Sequence, residues 1–210
     1  MTAALRRLSA DPAFAGLIER IGPCVLTVEP REPYEALIRA ISHQQLHARA
    51  AEAILGRFIA LFPAGVFPPP GAVADMAEPA MRACGLSGSK VAAIKDIAAH
   101  AIDGTIPPAA AAATMDDAAL IERLVAIRGV GRWTVEMLLI FTLGRPDVLP
   151  VDDFGVREGW RLIQKLPAQP RPKELAAIGA AWAPFRSTAA WYLWRAADEG
   201  KKIKPAPASA

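Results

Sequence analysis

The run Leu124-Val125-Ala126-Ile127-Arg128-Gly129-Val130-Gly131-Arg132-Trp133-Thr134 constrains this chain more than any other stretch. Leu124 and Ile127 before the Gly-x-Gly turn, and Val135 and Leu138 after it, stand at helical spacing and predict two helices packed as a hairpin. Glycine at 129 and 131 permits backbone angles that a Cβ would block. The turn then presents several N–H groups at the start of the second helix, where the helix dipole favours an anion. A DNA phosphate is the natural anion, with a monovalent cation as an optional companion. The candidate contacts are Gly129, Val130, Gly131, Arg132 and Thr134. Such contacts position a duplex without reading its sequence. The plain alternative is an ordinary glycine-turned helical hairpin, and as a clamp the motif serves DNA-binding proteins that are not enzymes.

The remainder of the chain also reads as helical. Hydrophobic residues make up 53% of the 210 positions and charged residues 21%, enough for a full core. No period-2 run suggests a strand. The net charge of +3 says little about partners, because a phosphate contact needs a few placed donors rather than a high total. Cys24 and Cys84 belong to no CxxC motif, which excludes a zinc ribbon or a four-cysteine iron–sulfur cluster and predicts free thiols. No secretory h-region and no long uncharged apolar run appear, so the expectation is a cytoplasmic, nucleoid-associated protein with no membrane contact.

Periodicity predicts a first helix over 11–20, a long helix from Tyr34 to about Leu61, and short helices near 72–76 and 78–84. Ser87 or Ser89 should cap a helix from Lys90 to about Ile102. Thr114-Met115-Asp116-Asp117 reads as a capping box, Arg132 to Leu143 as the second hairpin helix, and 154–164, 172–183 and 184–199 as the last helices. The tail over 201–210 is expected to be frayed.

Pro150-Val151-Asp152-Asp153-Phe154 places two carboxylates at a helix start. The hairpin's second helix carries the chain roughly 18 Å away. The nine residues after it span roughly 30 Å if extended, long enough to return. Asp152 can then cap the helix while Asp153 points into a cleft, held ionised by the dipole. A carboxylate so placed suits stabilising a sugar cation and orienting a water. The alternative is that the aspartates only cap.

With these residues in view, the chain resembles the helix-hairpin-helix, Gly/Pro-Asp superfamily of base-excision DNA glycosylases. Ala40-Ile41-Ser42-His43-Gln44-Gln45-Leu46, Leu86-Ser87-Gly88-Ser89-Lys90 and Trp182-Ala183-Pro184-Phe185-Arg186-Ser187 through Trp191-Tyr192-Leu193-Trp194 look like its 3-methyladenine DNA glycosylase II family. The likeness runs over roughly residues 30–198. It implies Asp153 as the catalytic residue and Trp133, Met137 and Trp194 as the base pocket, where an aromatic face attracts a cationic alkylated purine. It implies an intercalating loop at Gln44, Gln45 and Leu46, any of which can be the wedge. Bifunctional relatives carry a Schiff-base lysine where this chain has Trp133, which implies a monofunctional, water-using enzyme. Some relatives carry an N-terminal β-rich domain, and a compact form without it is expected here. Trp160, Trp182 and Trp191 are expected in the core, and His43 and His47 as a loop-facing pair rather than a metal site.

The expected architecture is all-α, with two helical subdomains, a central cleft and a helix-hairpin-helix DNA-binding motif. Residues 34–144 form the lobe with the hairpin; 1–33 plus 145–200 form the lobe with the aspartate. The expected activity is hydrolysis of the N-glycosidic bond of alkylated purines, 3-methyladenine and 7-methylguanine, in double-stranded DNA, by a monomer with no cofactor and no metal. The rivals are a non-catalytic DNA-binding module, a glycosylase for deaminated or oxidised bases, and a glycosylase with lyase activity.

Overall fold

The computed structural model of the chain describes residues 2–63 and 66–203, with side chains described to Lys201. Among these residues every regular element is helical. The chain divides into two compact units, one made of residues 1–28 and 144–210 and the other of residues 29–143. Positions 204–210, most of the tail expected to fray, lie outside the described residues.

The second unit holds the hairpin. It begins with α3 (Pro33–His43) and α4 (Ala48–Ile59), preceded in the chain by α1 (Ala3–Ser9) and α2 (Pro12–Ile21) of the other unit. Then come α5 (Pro70–Asp75), α6 (Glu78–Ala83), α7 (Gly88–Ile102), the single turn α8 (Ala109–Ala112), α9 (Asp117–Leu124) and α10 (Arg132–Phe141). The α7 helix is the spine: α3, α5 and α6 all pack on it, and it buries Val91, Ile94 and Ile97. Each such side chain taken out of water contributes about 1.5–3 kcal/mol.

The long helix predicted over 34–61 is in fact two. It breaks at 44–47, where Gln45 takes φ +56°. Neither glycine nor proline marks the break. Both halves keep their apolar residues, Leu37, Ile38 and Ile41 then Ala51, Leu55 and Phe58, in one helical register, so periodicity runs through it. The capping box at Thr114 is also corrected. Asp116 is the cap, accepting from the N–H groups of Ala118 and Ala119, while Thr114 Oγ1 donates to the Ala111 carbonyl and closes α8. Ser87 caps α7, accepting from Lys90 N.

The other unit contains α1 and α2, then α11 (Phe154–Ile163), α12 (Pro172–Gly179), a 3₁₀ turn (Ala180–Trp182) and α13 (Arg186–Ile203). Helix α1 is absent from the sequence reading because about two turns carry too little periodicity, yet it buries Leu8 completely and is capped by Thr2. Helices α11 and α13 lie almost backbone to backbone. A Cβ on Gly159 would sit 2.0 Å from the Leu193 carbonyl oxygen, and Ala189, Ala190, Ala196 and Ala197 keep α13 slim. Trp160, Trp182 and Trp191 are all buried. Phe14 meets Trp182 edge to face at 5.1 Å, and Trp182 directs its indole N–H to Asp11 Oδ2.

The start of α13 also holds the loop that leads to α11. The Asp147 carboxylate accepts from the Arg186 main-chain N–H and from both Nε and Nη2 of its guanidinium. Ser187 Oγ donates to the Arg145 carbonyl and accepts from Val148 N. The segment Trp182 to Ser187 thus has a physical role: it pins residues 145–148 and fixes where the next turn, Pro150 to Asp153, must form.

Candidate active site

Asp153 is the N-cap of α11. Its Oδ1 accepts from Val156 N at 2.8 Å and from Trp194 Nε1 at 2.8 Å. The expectation that Asp152 caps this helix is therefore wrong. Asp152 is an exposed corner of the turn closed by Asp153 N to the Pro150 carbonyl, and Asp153 is at once cap and candidate catalyst. Two donors on one oxygen fix the plane of the carboxylate, and the dipole of α11 stabilises its charge.

Trp194 is half-buried, leaning on the core of its unit while its indole N–H engages Asp153. Its clearest task is to orient the carboxylate, which the sequence reading, treating it as a stacking ring, did not anticipate. Two neighbours were also missed. A Cβ at Gly155 would lie 2.9 Å from Trp194 Cδ1 and 3.2 Å from Asp153 Oδ1, so glycine is what lets the indole reach the carboxylate. Phe154 stands 66% exposed directly beside Asp153. The available signal was a helix-disfavouring glycine in the first turn after the aspartates.

The hairpin is built on α9 and α10, with Leu124, Ile127, Val135 and Leu138 buried. Gly129 has φ +77°, and a Cβ there would lie 3.1 Å from Ala93 Cβ. Glycine is needed for both reasons. Gly131 differs from expectation: at φ −90°, ψ 167° it is ordinary extended backbone, and a Cβ would meet open space. As N-cap of α10 it offers no side-chain acceptor to the first-turn N–H groups. Val130 and Thr134 turn their side chains inward, so they offer main chain alone. Arg132 is exposed, but its Nε is engaged by buried Glu136 Oε1 at 2.9 Å. Asp96 Oδ2 accepts from Arg128 N at 2.7 Å and steadies the turn.

Trp133 is 44% exposed. Met137, one helical turn later, lines a small recess of about 150 Å³ with Arg31, Leu37, Thr134, Phe141 and Thr142, and Trp133 is not among its walls. Gln44, Gln45 and Leu46 form the turn between α3 and α4. Gln44 is tied by its amide Nε2 to the Gly129 carbonyl at 3.2 Å, while Gln45 and Leu46 are exposed. His43 is bonded to the Arg39 carbonyl and to Glu52. Cys24 and Cys84 are free thiols, and burial pushes both above the usual thiol range. Among the described residues no cluster of three His, Cys, Asp or Glu side chains is placed to hold a metal, and no helix is long and apolar enough to cross a membrane.

The profile of HhH-GPD superfamily base excision DNA repair proteins matches residues 38–184. DNA-3-methyladenine glycosylase 1 of Schizosaccharomyces pombe is 47% identical over 85% of this chain and 80% of its own length. The solved 3-methyladenine DNA glycosylase of the same yeast, in complex with abasic DNA, superposes with a TM-score of 0.83 at 45% identity, covering 92% of this chain and 96% of that one. The DNA-3-methyladenine glycosidase of Bacillus halodurans superposes with a TM-score of 0.86 at 32% identity, covering 96% and 92%. Matched over most of its length and carrying both the hairpin and the capped aspartate, the chain belongs to the HhH-GPD superfamily of base excision DNA repair proteins.

Proposed function

We propose that this protein is a monofunctional DNA glycosylase that removes alkylated purines, 3-methyladenine and 7-methylguanine, from double-stranded DNA in base excision repair. The observation that carries the reading is Asp153, held at the start of α11 by Val156 N and Trp194 Nε1 in a chain that also carries the hairpin. The target nucleotide leaves the stack, and an exposed side chain of the 44–47 turn, Gln45 or Leu46, fills the gap. The first turn of α10 anchors a backbone phosphate through main-chain N–H groups. Trp133, 44% exposed on the first turn of α10, offers the aromatic face that attracts a cationic base.

N-alkylation leaves the purine positively charged, so the C1′–N bond breaks with both electrons going to the base, which departs neutral. Positive charge grows on the sugar, and the Asp153 carboxylate stabilises it. Water then adds to C1′ and gives up its proton. The residue after Arg132 is a tryptophan with no amine, so no imine to the sugar forms there. The products are a free base and an intact strand with an abasic site. The protein acts as a monomer.

The test is base release from methylated duplex DNA, resolved by chromatography, for wild type and Asp153→Asn. Wild type is expected to release 3-methyladenine and 7-methylguanine. Asp153→Asn is expected to lose base release by about a hundredfold or more while still binding DNA. No release by wild type with binding intact would leave a binding module or another lesion as the reading. Strand cleavage without alkali would reinstate the lyase.

A further inference from the structure

The turn over 44–47 is not stable on its own terms. It ends α3 without glycine or proline, and Gln45 adopts φ +56°, a left-handed angle that a residue with a Cβ disfavours. The last carbonyls of α3 have no partner within the helix. Lys90, on the first turn of α7, supplies one. Its Nζ donates to the Ser42 carbonyl at 2.9 Å and to the Gln44 carbonyl at 2.8 Å, bringing positive charge to the negative end of the helix dipole. Ser42 is itself buried, its Oγ donating to the Ile38 carbonyl, so the end of α3 is fixed from inside as well.

The same helix grips the hairpin. One and a half turns beyond Lys90, Asp96 accepts from Arg128 N, and between them Ala93 lies against Gly129. The two loops are joined directly by the Gln44 amide on the Gly129 carbonyl. Lys90, Asp96 and Gln44 therefore hold the turn and the hairpin as one rigid assembly within a single unit.

We propose that Lys90 is a positioning residue for base extrusion: its ammonium fixes the 44–47 turn as a stiff wedge and, through Gln44, sets its register to the phosphate-anchoring hairpin. The proposal rests on the glycosylase reading above. Lys90 touches no reacting atom; it acts through the turn. Its contribution appears when a base must be forced from a paired stack and vanishes when the base is already unstacked.

The experiment uses the full chain with Lys90→Met, Lys90→Arg and Gln44→Ala. Single-turnover base release is measured from 7-methylguanine paired with cytosine and from the same base in a single-nucleotide bulge. Lys90→Met is expected to lose about tenfold or more on the paired lesion but less than about threefold on the bulged one, with Lys90→Arg recovering most of the paired rate. Extrusion is read separately, without chemistry, by 2-aminopurine opposite a tetrahydrofuran abasic analogue in a duplex. The fluorescence rise seen with wild type is expected to shrink in Lys90→Met and, by less, in Gln44→Ala, whose half-exposed side chain can be removed with little effect on folding. Equal losses on paired and bulged lesions, a wild-type fluorescence response in Lys90→Met, or no change in Gln44→Ala would each overturn the proposal. Because the fluorescence arm needs no excision, absence of base release by wild type would count against the glycosylase reading alone.

Discussion

Asp153 receives its two donors from places far apart in sequence, Val156 on its own helix and Trp194 on α13. The main-chain donor is guaranteed by any N-cap aspartate; the indole is particular to this fold. Replacing it with phenylalanine keeps an aromatic ring against the core but removes the N–H. Loss of a hydrogen bond to a charged group is worth about 1.5–3 kcal/mol. Trp194→Phe is expected to lower kcat for base release about 10- to 100-fold, leaving KM and affinity for an abasic duplex unchanged. A rise in KM with constant kcat would assign Trp194 to base stacking instead of carboxylate positioning. At this scale the sequence marked Asp153 and Trp194 separately, and nothing in either residue's neighbours announced that they touch. Gly155, wedged between them, is legible only once the indole is seen.

At the scale of elements the hairpin shows two glycines with different reasons to exist. Gly129 is required by its φ of +77° and by contact with Ala93, and Gly131 by neither. Gly129→Ala forces a left-handed side chain, costing about 1–2 kcal/mol, and is expected to lower both melting temperature and DNA affinity. Gly131→Ala costs the cap less than about 1 kcal/mol and places a methyl group where a phosphate is proposed to sit. It is expected to melt within a few degrees of wild type yet bind undamaged duplex about tenfold more weakly. Melting curves paired with fluorescence anisotropy separate the two, and unchanged affinity in Gly131→Ala would remove the hairpin as the DNA anchor. The hairpin was readable because glycine and flanking apolar residues are local signals. The break at 44–47 was not, since the charge that engages its carbonyls comes from Lys90, more than forty positions away in the chain.

In the molecule as a whole, residues 2–28 fold with 144–203 around the strip Phe14, Trp160, Trp182 and Leu193, and the described residues of 29–143 fold around α7. The first of these units depends on the lock between Asp147 and Arg186. The guanidinium holds the Asp147 carboxyl below its ordinary value of 3.8. A carboxyl depressed in the folded state contributes stability that is complete above its unfolded value and is lost as pH falls through the folded one. The melting temperature of wild type is thus expected to exceed that of Asp147→Asn near neutrality. The gap should narrow as pH drops below 3.8, as thermal scans across that range would show. A gap constant with pH would mean that the charge on Asp147 contributes nothing. The pair is partly exposed, so solvent screening keeps the effect modest.

The sequence by itself determined the all-helical class, the hairpin, most helix boundaries and the presence of an acidic cap at the start of α11, because periodicity, glycine and capping chemistry act over a few residues. Only the tertiary structure decided which aspartate is the cap, that Trp194 holds it, that Gly131 is not needed for the turn, and that one long helix is two. The second donor to Asp153, the end of α3 and the loop before α11 each depend on a partner brought from a distant part of the chain: Trp194, Lys90, and Ser187 with Arg186. Contacts of that kind have no local signature, since loop closure brings together residues whose spacing in the chain carries no period.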